Sequence, residues 1–97
     1  MQLSASQINQ IQTFFTDKPV KKVYLFGSYA RGEADENSDV DLLIDWDYTQ
    51  HIGLNYVFWK EDIKKLLNKD VDFVSVDYIS PYIEDFINKD KKLIYEG

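Results

Sequence analysis

Strand-like and helix-like segments alternate along this chain, and that alternation constrains its fold more than any other feature. Apolar stretches rich in β-branched and aromatic residues occupy 20–26, 39–46 and 71–76, and 93–95 is expected to form a short final strand. Strands separated by helices imply an α/β or α+β fold, in which helices pack on a small sheet. With 97 residues, positions 1–97 are expected to form a single domain.

The segments between the strands show helical periodicity and recognisable ends. Ser4 or Ser6 is placed to cap a first helix, and the serine–proline pair at 80–81 is typical of the start of a last one. A short helix is expected within 29–34 and a long one over 50–68. The side chains expected to face the sheet are Ile8, Ile11, Phe14 and Phe15 in the first helix, Ile52, Tyr56, Trp59, Ile63, Leu66 and Leu67 in the long one, and Ile83, Phe86 and Ile87 in the last.

The composition excludes several classes of function. A net charge of −6 argues against direct nucleic-acid binding, because neutralising phosphates requires clustered cations. The absence of cysteine excludes thiolate metal sites and disulfide scaffolds, and it fits a cytoplasmic location. A single histidine, His51, disfavours a multi-histidine metal site or a Ser-His-Asp triad. No apolar run is long enough to predict a transmembrane helix, so no membrane association is expected.

Three aspartates are expected on two strands of the sheet. Asp39 and Asp41 open the second strand two residues apart, so their carboxylates face the same side at a spacing of ~7 Å. Asp72 lies inside the third strand, where an aspartate is unfavourable and a buried carboxylate needs a partner. Three such acids on adjacent strands repel one another unless cations neutralise them, which is the logic of a two-metal phosphoryl-transfer site.

A Gly-Ser turn follows the first strand. Gly27 allows a close backbone approach to a ligand, and the Ser28 hydroxyl adds a donor to the N–H groups of such a turn. These features suit phosphate oxygens, although a Gly-Ser pair alone is also common in ordinary turns. Arg31 is the only arginine in the chain and suits phosphate binding; its alternative role is an internal ion pair with Glu33 or Asp41.

The order and spacing of these residues resemble a known superfamily. Gly27-Ser28 is followed after ten residues by Asp39-Val40-Asp41 and later by Asp72, as in the DNA polymerase β-type nucleotidyltransferases. The fuller stretch over 25–43 is similar to the minimal nucleotidyltransferases (MNT), which are single-domain proteins of about this length. The resemblance covers essentially the whole chain. It implies the nucleotidyltransferase fold, a small mixed sheet flanked by helices.

The resemblance also implies roles for individual residues. Asp39 and Asp41 would hold two Mg²⁺ ions, and Asp72 would complete one of the two ion sites, so these three are the expected catalytic residues. Gly27 and Ser28 would cradle the phosphates of ATP. An acceptor hydroxyl would attack the α-phosphorus, and pyrophosphate would leave.

Many minimal nucleotidyltransferases are antitoxins paired with a HEPN-domain ribonuclease toxin. The resemblance implies that this chain transfers AMP to a tyrosine of such a toxin, encoded next to it. Two alternatives stay open: a non-catalytic antitoxin that acts by binding alone, and a nucleotidyltransferase acting on a small molecule such as an aminoglycoside or on a nucleic-acid end.

The long helix carries apolar residues outside its core stripe. Leu54, Val57 and Phe58 fall on a neighbouring face, where they either pack under a loop or form a patch for a partner. On the polar side, Glu61 and Lys65 have the spacing of a helical ion pair.

Overall fold

A four-stranded sheet forms the centre of the protein, which is described by a computed structural model covering residues 1–97. The strands lie in the order β3-β2-β1-β4 and comprise β1 (Val20–Phe26), β2 (Val40–Trp46), β3 (Val71–Ser75) and β4 (Lys92–Glu96). The helices are α1 (Ala5–Phe15), α2 (Ser28–Arg31), α3 (Asn55–Leu67) and α4 (Pro81–Asp90), with a 3₁₀ turn at Val76–Tyr78. All four predicted strands and all four predicted helices are present.

The sheet is mixed, as the resemblance implied. Strand β1 runs antiparallel to both β2 and β4, whereas β3 runs parallel to β2. Helix α3 makes the crossover between the two parallel strands, as parallel pairing requires. The edge positions fall to β3 and β4, the strands that are open to solvent along one side.

One face of the sheet carries the main core. Ile11 and Phe15 of α1 and Ile63 of α3 are fully buried in it. The sheet residues in the same cluster are Val20, Val23, Leu25, Val40, Leu42, Ile44, Trp46 and Val71. The alternation along each strand therefore turns every second side chain towards α1 and α3.

The opposite face of the sheet is only partly covered, and α4 is the helix that covers it. Leu43 points to this side and is buried, as is Ile87 of α4. Tyr24 and Phe26 of β1 are half-buried here. A single ten-residue helix cannot cover a four-stranded sheet, and part of the face stays open.

Both predicted helix caps are confirmed. The Ser4 hydroxyl accepts a hydrogen bond from the Gln7 amide at 3.1 Å, and the Gln7 side chain accepts one from the Ser4 amide at 2.8 Å. This reciprocal capping box satisfies two amide donors at the start of α1. At α4, the Ser80 hydroxyl accepts from the Tyr82 amide, with proline in the first turn.

The long helix begins at Asn55 and not at position 50. The Asp47 carboxylate accepts hydrogen bonds from the side chains of Thr49 and Gln50, and Gly53 has φ 54°. These local bonds stabilise a turn that competes with the helix. The other end is as predicted, since α3 stops where Asn68 adopts a left-handed conformation.

Some side chains expected to face the core are exposed. Tyr56 and Leu66 of α3 are nearly half exposed, because the helix packs on the sheet along a narrow stripe centred on the fully buried Ile63. Ile83 and Phe86 of α4 are also exposed. The predicted Glu61–Lys65 pair is wrong in its register: Glu61 pairs with Lys64 at 3.5 Å. No helix in the protein has both the length and the apolar character needed to cross a membrane.

Candidate functional site

A cleft of about 350 Å³ opens on the α4 side of the sheet. Its lining residues are Phe26, Gly27, Arg31, Asp41, Asp72, Val74, Ile83, Phe86, Ile87 and Asp90. Four of the six predicted site residues are among them, and Ser28 and Asp39 are not. Two larger hollows of about 540 and 630 Å³ contain none of the six. The predicted chemistry is thus concentrated in the smaller cleft.

Strand register brings two of the aspartates together. Asp41 of β2 pairs with Asp72 in the parallel ladder, and Phe26 of β1 pairs with Asp41 from the other side. The three side chains therefore form a row across the open face. Neighbouring strands lie about 4.7–4.9 Å apart, so the two carboxylates are close enough to share a ligand.

Asp72 is more exposed than the sequence suggested. Its side chain is 55% exposed, so the expectation of a buried carboxylate is wrong. The reason is that β3 is an edge strand whose outer side is open. Lys60 reaches from α3 to this position, with Nζ 3.6 Å from Oδ1 of Asp72.

Asp39 lies outside the strand that it was expected to open. Strand β2 begins at Val40, whose amide donates to the Asp70 carbonyl at 2.9 Å, and Asp39 is exposed just before it. No group of three acidic or histidine side chains is gathered tightly enough to form a ready-made metal site. Asp41 and Asp72 form a pair, and Asp39 approaches from the loop.

The turn after β1 lies directly against Asp41. Gly27 has φ 76°, a conformation that favours glycine, and a Cβ at this position would collide with Oδ2 of Asp41. Both features require glycine here. The turn predicted to hold phosphate and the carboxylate predicted to hold metal are therefore in contact.

The electrostatics of Asp41 favour a cation. Burial, followed by the neighbouring charges of Asp72 and Asp39, raises the pKa of Asp41 to about 6, and Arg31 opposes the shift. No hydrogen bond contributes to the pKa of this carboxylate. A bound cation would offset these unfavourable contributions, and carboxylate oxygens are the ligands that Mg²⁺ prefers. Asp41 and Asp72 together therefore fit a divalent ion of this kind.

Arg31 joins α2 to the end of α4. Its Nε donates to Glu33 at 3.0 Å and its guanidinium donates to Asp90 at 2.7 Å. The predicted internal pair with Glu33 is present. Asp90 was not foreseen, because it lies 59 positions away and has no distinctive neighbours in the sequence. Arg31 is also one of the residues that line the cleft.

The chain is similar to known proteins over most of its length. The model of the family described as "Polymerase beta, Nucleotidyltransferase" matches residues 9–97. A provisionally named protein adenylyltransferase of Methanocaldococcus jannaschii is 38% identical over 78 residues, which cover 78% of this chain and 76% of the relative.

Solved structures share the fold. A toxin–antitoxin crystal structure with AMP-PNP contains a chain with a TM-score of 0.78 at 23% identity, covering 93% of this chain and 73% of that one. The structure of a tri-AMPylated Shewanella oneidensis HEPN toxin in complex with MNT antitoxin contains a chain with a TM-score of 0.71 at 19% identity, covering 95% of this chain and 71% of that one.

The match of the family model over 9–97, the long alignment with a relative, and the shared fold agree with one another. They also agree with the pairing of Asp41 and Asp72 beside the Gly27 turn. On this evidence the chain belongs to the polymerase beta nucleotidyltransferase family.

Proposed function

We propose that this chain is an Mg²⁺-dependent protein adenylyltransferase that transfers AMP from ATP to a tyrosine hydroxyl of a HEPN-domain toxin. By modifying the toxin it acts as the antitoxin of the pair. The observation that carries the proposal is the pairing of Asp41 with Asp72 in a cleft whose end is formed by the Gly27 turn. Residues 1–97 would form one catalytic domain.

Family membership supports the nucleotide chemistry, since it implies a nucleotide substrate and a divalent metal in general terms. The M. jannaschii relative is named for protein adenylyl transfer. The S. oneidensis structure combines an AMPylated HEPN toxin with an MNT antitoxin. The adenylyl group, the protein acceptor and the HEPN partner in our proposal draw on these names. The tyrosine hydroxyl draws on the resemblance to the minimal nucleotidyltransferases.

The carboxylates would hold the metal. Asp39 and Asp41 are proposed to hold two Mg²⁺ ions, with Asp72 completing one of the sites. When bound, such ions neutralise the triphosphate and stabilise the charge that develops during phosphoryl transfer. Asp39 would join this arrangement from the end of the loop that precedes β2, where its charge already acts on Asp41.

The remaining residues would bind and orient the substrates. Gly27 leaves room for phosphate oxygens beside the carboxylates. Ser28 and Arg31 would donate hydrogen bonds to these phosphate oxygens. Asp72, the more exposed carboxylate, would accept the proton of the incoming hydroxyl. A bond then forms between that oxygen and the α-phosphorus, and the bond from the α-phosphorus to the bridging oxygen breaks to release pyrophosphate. Because ATP is a cytoplasmic metabolite, we place the reaction in the cytoplasm.

The test is the intact mass of the protein encoded beside this chain, after incubation with ATP and Mg²⁺. We expect a gain of one or more AMP units with the wild type and none with Asp39→Ala/Asp41→Ala. Asp45→Ala is the matched control, since Asp45 lies on the same strand as Asp41 and outside the cleft lining.

Other outcomes would favour the alternatives. A stable complex without any AMP gain would support an antitoxin that acts by binding alone. Neither complex nor AMP gain would direct the search to small-molecule acceptors such as aminoglycosides, and the proposed function would then be wrong.

A further inference from the structure

We propose that the exposed apolar face of α4 is the docking surface for the acceptor protein, and that the partner presents an apolar patch bordered by basic residues. This α4 patch consists of Tyr82, Ile83 and Phe86. The inference rests on the proposed function, because it concerns the protein whose hydroxyl must reach Asp41 and Asp72.

The α4 patch is apolar and open to solvent. Tyr82 is 89% exposed and Phe86 is 68% exposed, and the two lie one helical turn apart on the same side of α4. Ile83 is nearly half exposed between them, and Tyr78, just before the helix, is also exposed. Single exposed apolar residues are ordinary, whereas a contiguous group marks an interaction site.

The α4 patch continues into the cleft. Ile83 and Phe86 line the same cavity as Asp41 and Asp72. A tyrosine attached to another protein reaches those carboxylates only if the protein surface around it meets the rim. One wall of that rim is α4, so an acceptor protein has to contact Phe86 and Ile83.

The charges beside the α4 patch, at the start of the helix, are negative. Glu84 and Asp85 lie on α4 and Asp77 precedes it, and all three are exposed. The basic residues of this region, Lys89, Lys91 and Lys92, lie at the other end of the helix. Complementary charge steers association, so the matching surface of the partner is expected to be basic.

A second exposed apolar group lies on α3 and provides a control. Leu54, Val57 and Phe58 are all exposed, and Phe58 is 67% exposed, which matches Phe86. Helix α3 packs on the opposite face of the sheet through Ile63, and none of the three exposed residues lines the cleft. Because Phe58 and Phe86 are equally exposed, substitution of Phe58 shows whether the loss of any exposed aromatic side chain weakens partner binding, or only the loss of one beside the site.

The experiment compares Phe86→Ser, Tyr82→Ser and Phe58→Ser. For each variant we would measure the dissociation constant for the protein encoded by the neighbouring gene, by calorimetry, and AMP transfer to that protein, by intact mass. For Tyr82→Ser we would also measure the binding of Mg²⁺–ATP, because the Tyr82 side chain does not line the cleft. Central aromatic residues of an interface dominate its affinity. We therefore expect Phe86→Ser and Tyr82→Ser to weaken partner binding by about tenfold or more, Phe58→Ser to have no effect, and Tyr82→Ser to retain Mg²⁺–ATP binding.

The charge part is tested with Glu84→Lys, which should slow association with the partner, and the wild-type affinity should fall as salt rises. Sedimentation of the wild type and of Phe86→Ser decides whether a second copy of this chain occupies the patch instead. A dimer of the wild type that Phe86→Ser dissociates would overturn the proposal.

Failure of this inference is distinguishable from failure of the proposed function. If the wild type transfers AMP and the α4 variants bind the partner as tightly as it does, the docking proposal is wrong and the function stands. If the complex forms and weakens in the α4 variants while no AMP is transferred, the docking proposal stands and the function is wrong. Absence of any complex would overturn the docking proposal.

Discussion

Replacing Asp41 by asparagine is expected to stabilise the metal-free protein at neutral pH while removing its activity. The folded protein raises the pKa of this carboxyl to about 6, because the side chain is half-buried and lies near Asp72 and Asp39. The ionised form is therefore disfavoured in the fold at pH 7. An asparagine side chain is uncharged and nearly the same shape as aspartate, so the substitution would remove this penalty.

The size of the effect follows from the shift. A pKa that moves from 3.8 to about 6 corresponds to about 3 kcal/mol, at about 1.36 kcal/mol for each tenfold change in proton affinity. Solvent reaches part of the side chain and screens the charges, so about 1–2 kcal/mol is a better expectation. For a domain of this length, 1 kcal/mol moves the melting temperature by about 4–8 °C.

The gain has a defined pH dependence. Below 3.8 the wild-type carboxyl is protonated in both the folded and the unfolded chain, and the wild type suffers no penalty. As pH rises from 3.8 through about 6, the unfolded chain ionises first and the wild type loses stability. The variant does not titrate here, so its advantage should be small at pH 4, where the wild type has lost only a minor part of its stability, and complete by pH 7.5.

Thermal unfolding followed by circular dichroism at both pH values, without Mg²⁺, measures the difference. Added Mg²⁺ and ATP should stabilise the wild type by mass action and leave the variant unchanged. Asp45→Asn on the same strand controls for the loss of any one negative charge. Equal melting temperatures of wild type and Asp41→Asn at pH 7.5, or the same difference at pH 4, would refute the reasoning.

Three further predictions concern the structure around the site. Gly27→Ala should lower the free energy of unfolding, measured in urea, by about 1–3 kcal/mol and abolish ATP binding, because the new Cβ collides with Asp41. The control is Gly32→Ala, since Gly32 also has a positive φ but a Cβ there meets no such collision. That variant should lose about 1 kcal/mol and keep ATP binding. Ile63→Ala should lower the free energy of unfolding by about 2–5 kcal/mol, since this side chain is fully buried in the core. Asp90→Asn removes the ion pair between Asp90 and Arg31 and should speed amide hydrogen exchange at the end of α4. The free energy of global unfolding should change by about 1 kcal/mol or less.

Local sequence signals predicted those helices and strands whose ends are set by residues close to one another in the sequence. Strand β1 matches its predicted bounds because a proline precedes its apolar run and Gly27 follows it. The Ser4 cap and the start of α4 are set by bonds between residues only two or three positions apart. The start of α3 was missed because side-chain bonds to Asp47 outweigh an apolar periodicity that reads as helix.

Features that depend on strand order or distant contacts were not accessible in this way. Asp72 is exposed because β3 is an edge strand, and no local sequence pattern predicts the order of the strands in the sheet. The exposure of Phe86 follows from α4 lying alone on its side of the sheet, although its spacing is that of a core residue. The pairing of Arg31 with Asp90 joins segments that only the folded chain brings together.

The central claim is that this chain transfers the adenylyl group of ATP through the carboxylates of the cleft. The most direct measurement incubates the partner with ATP labelled on either the α- or the γ-phosphate, using wild type and the Asp41→Asn variant, which the stability measurement identifies as folded. We expect the α-label alone to become attached to the partner, and only with the wild type. Attachment of the γ-label, or equal attachment of the α-label with Asp41→Asn, would contradict this claim.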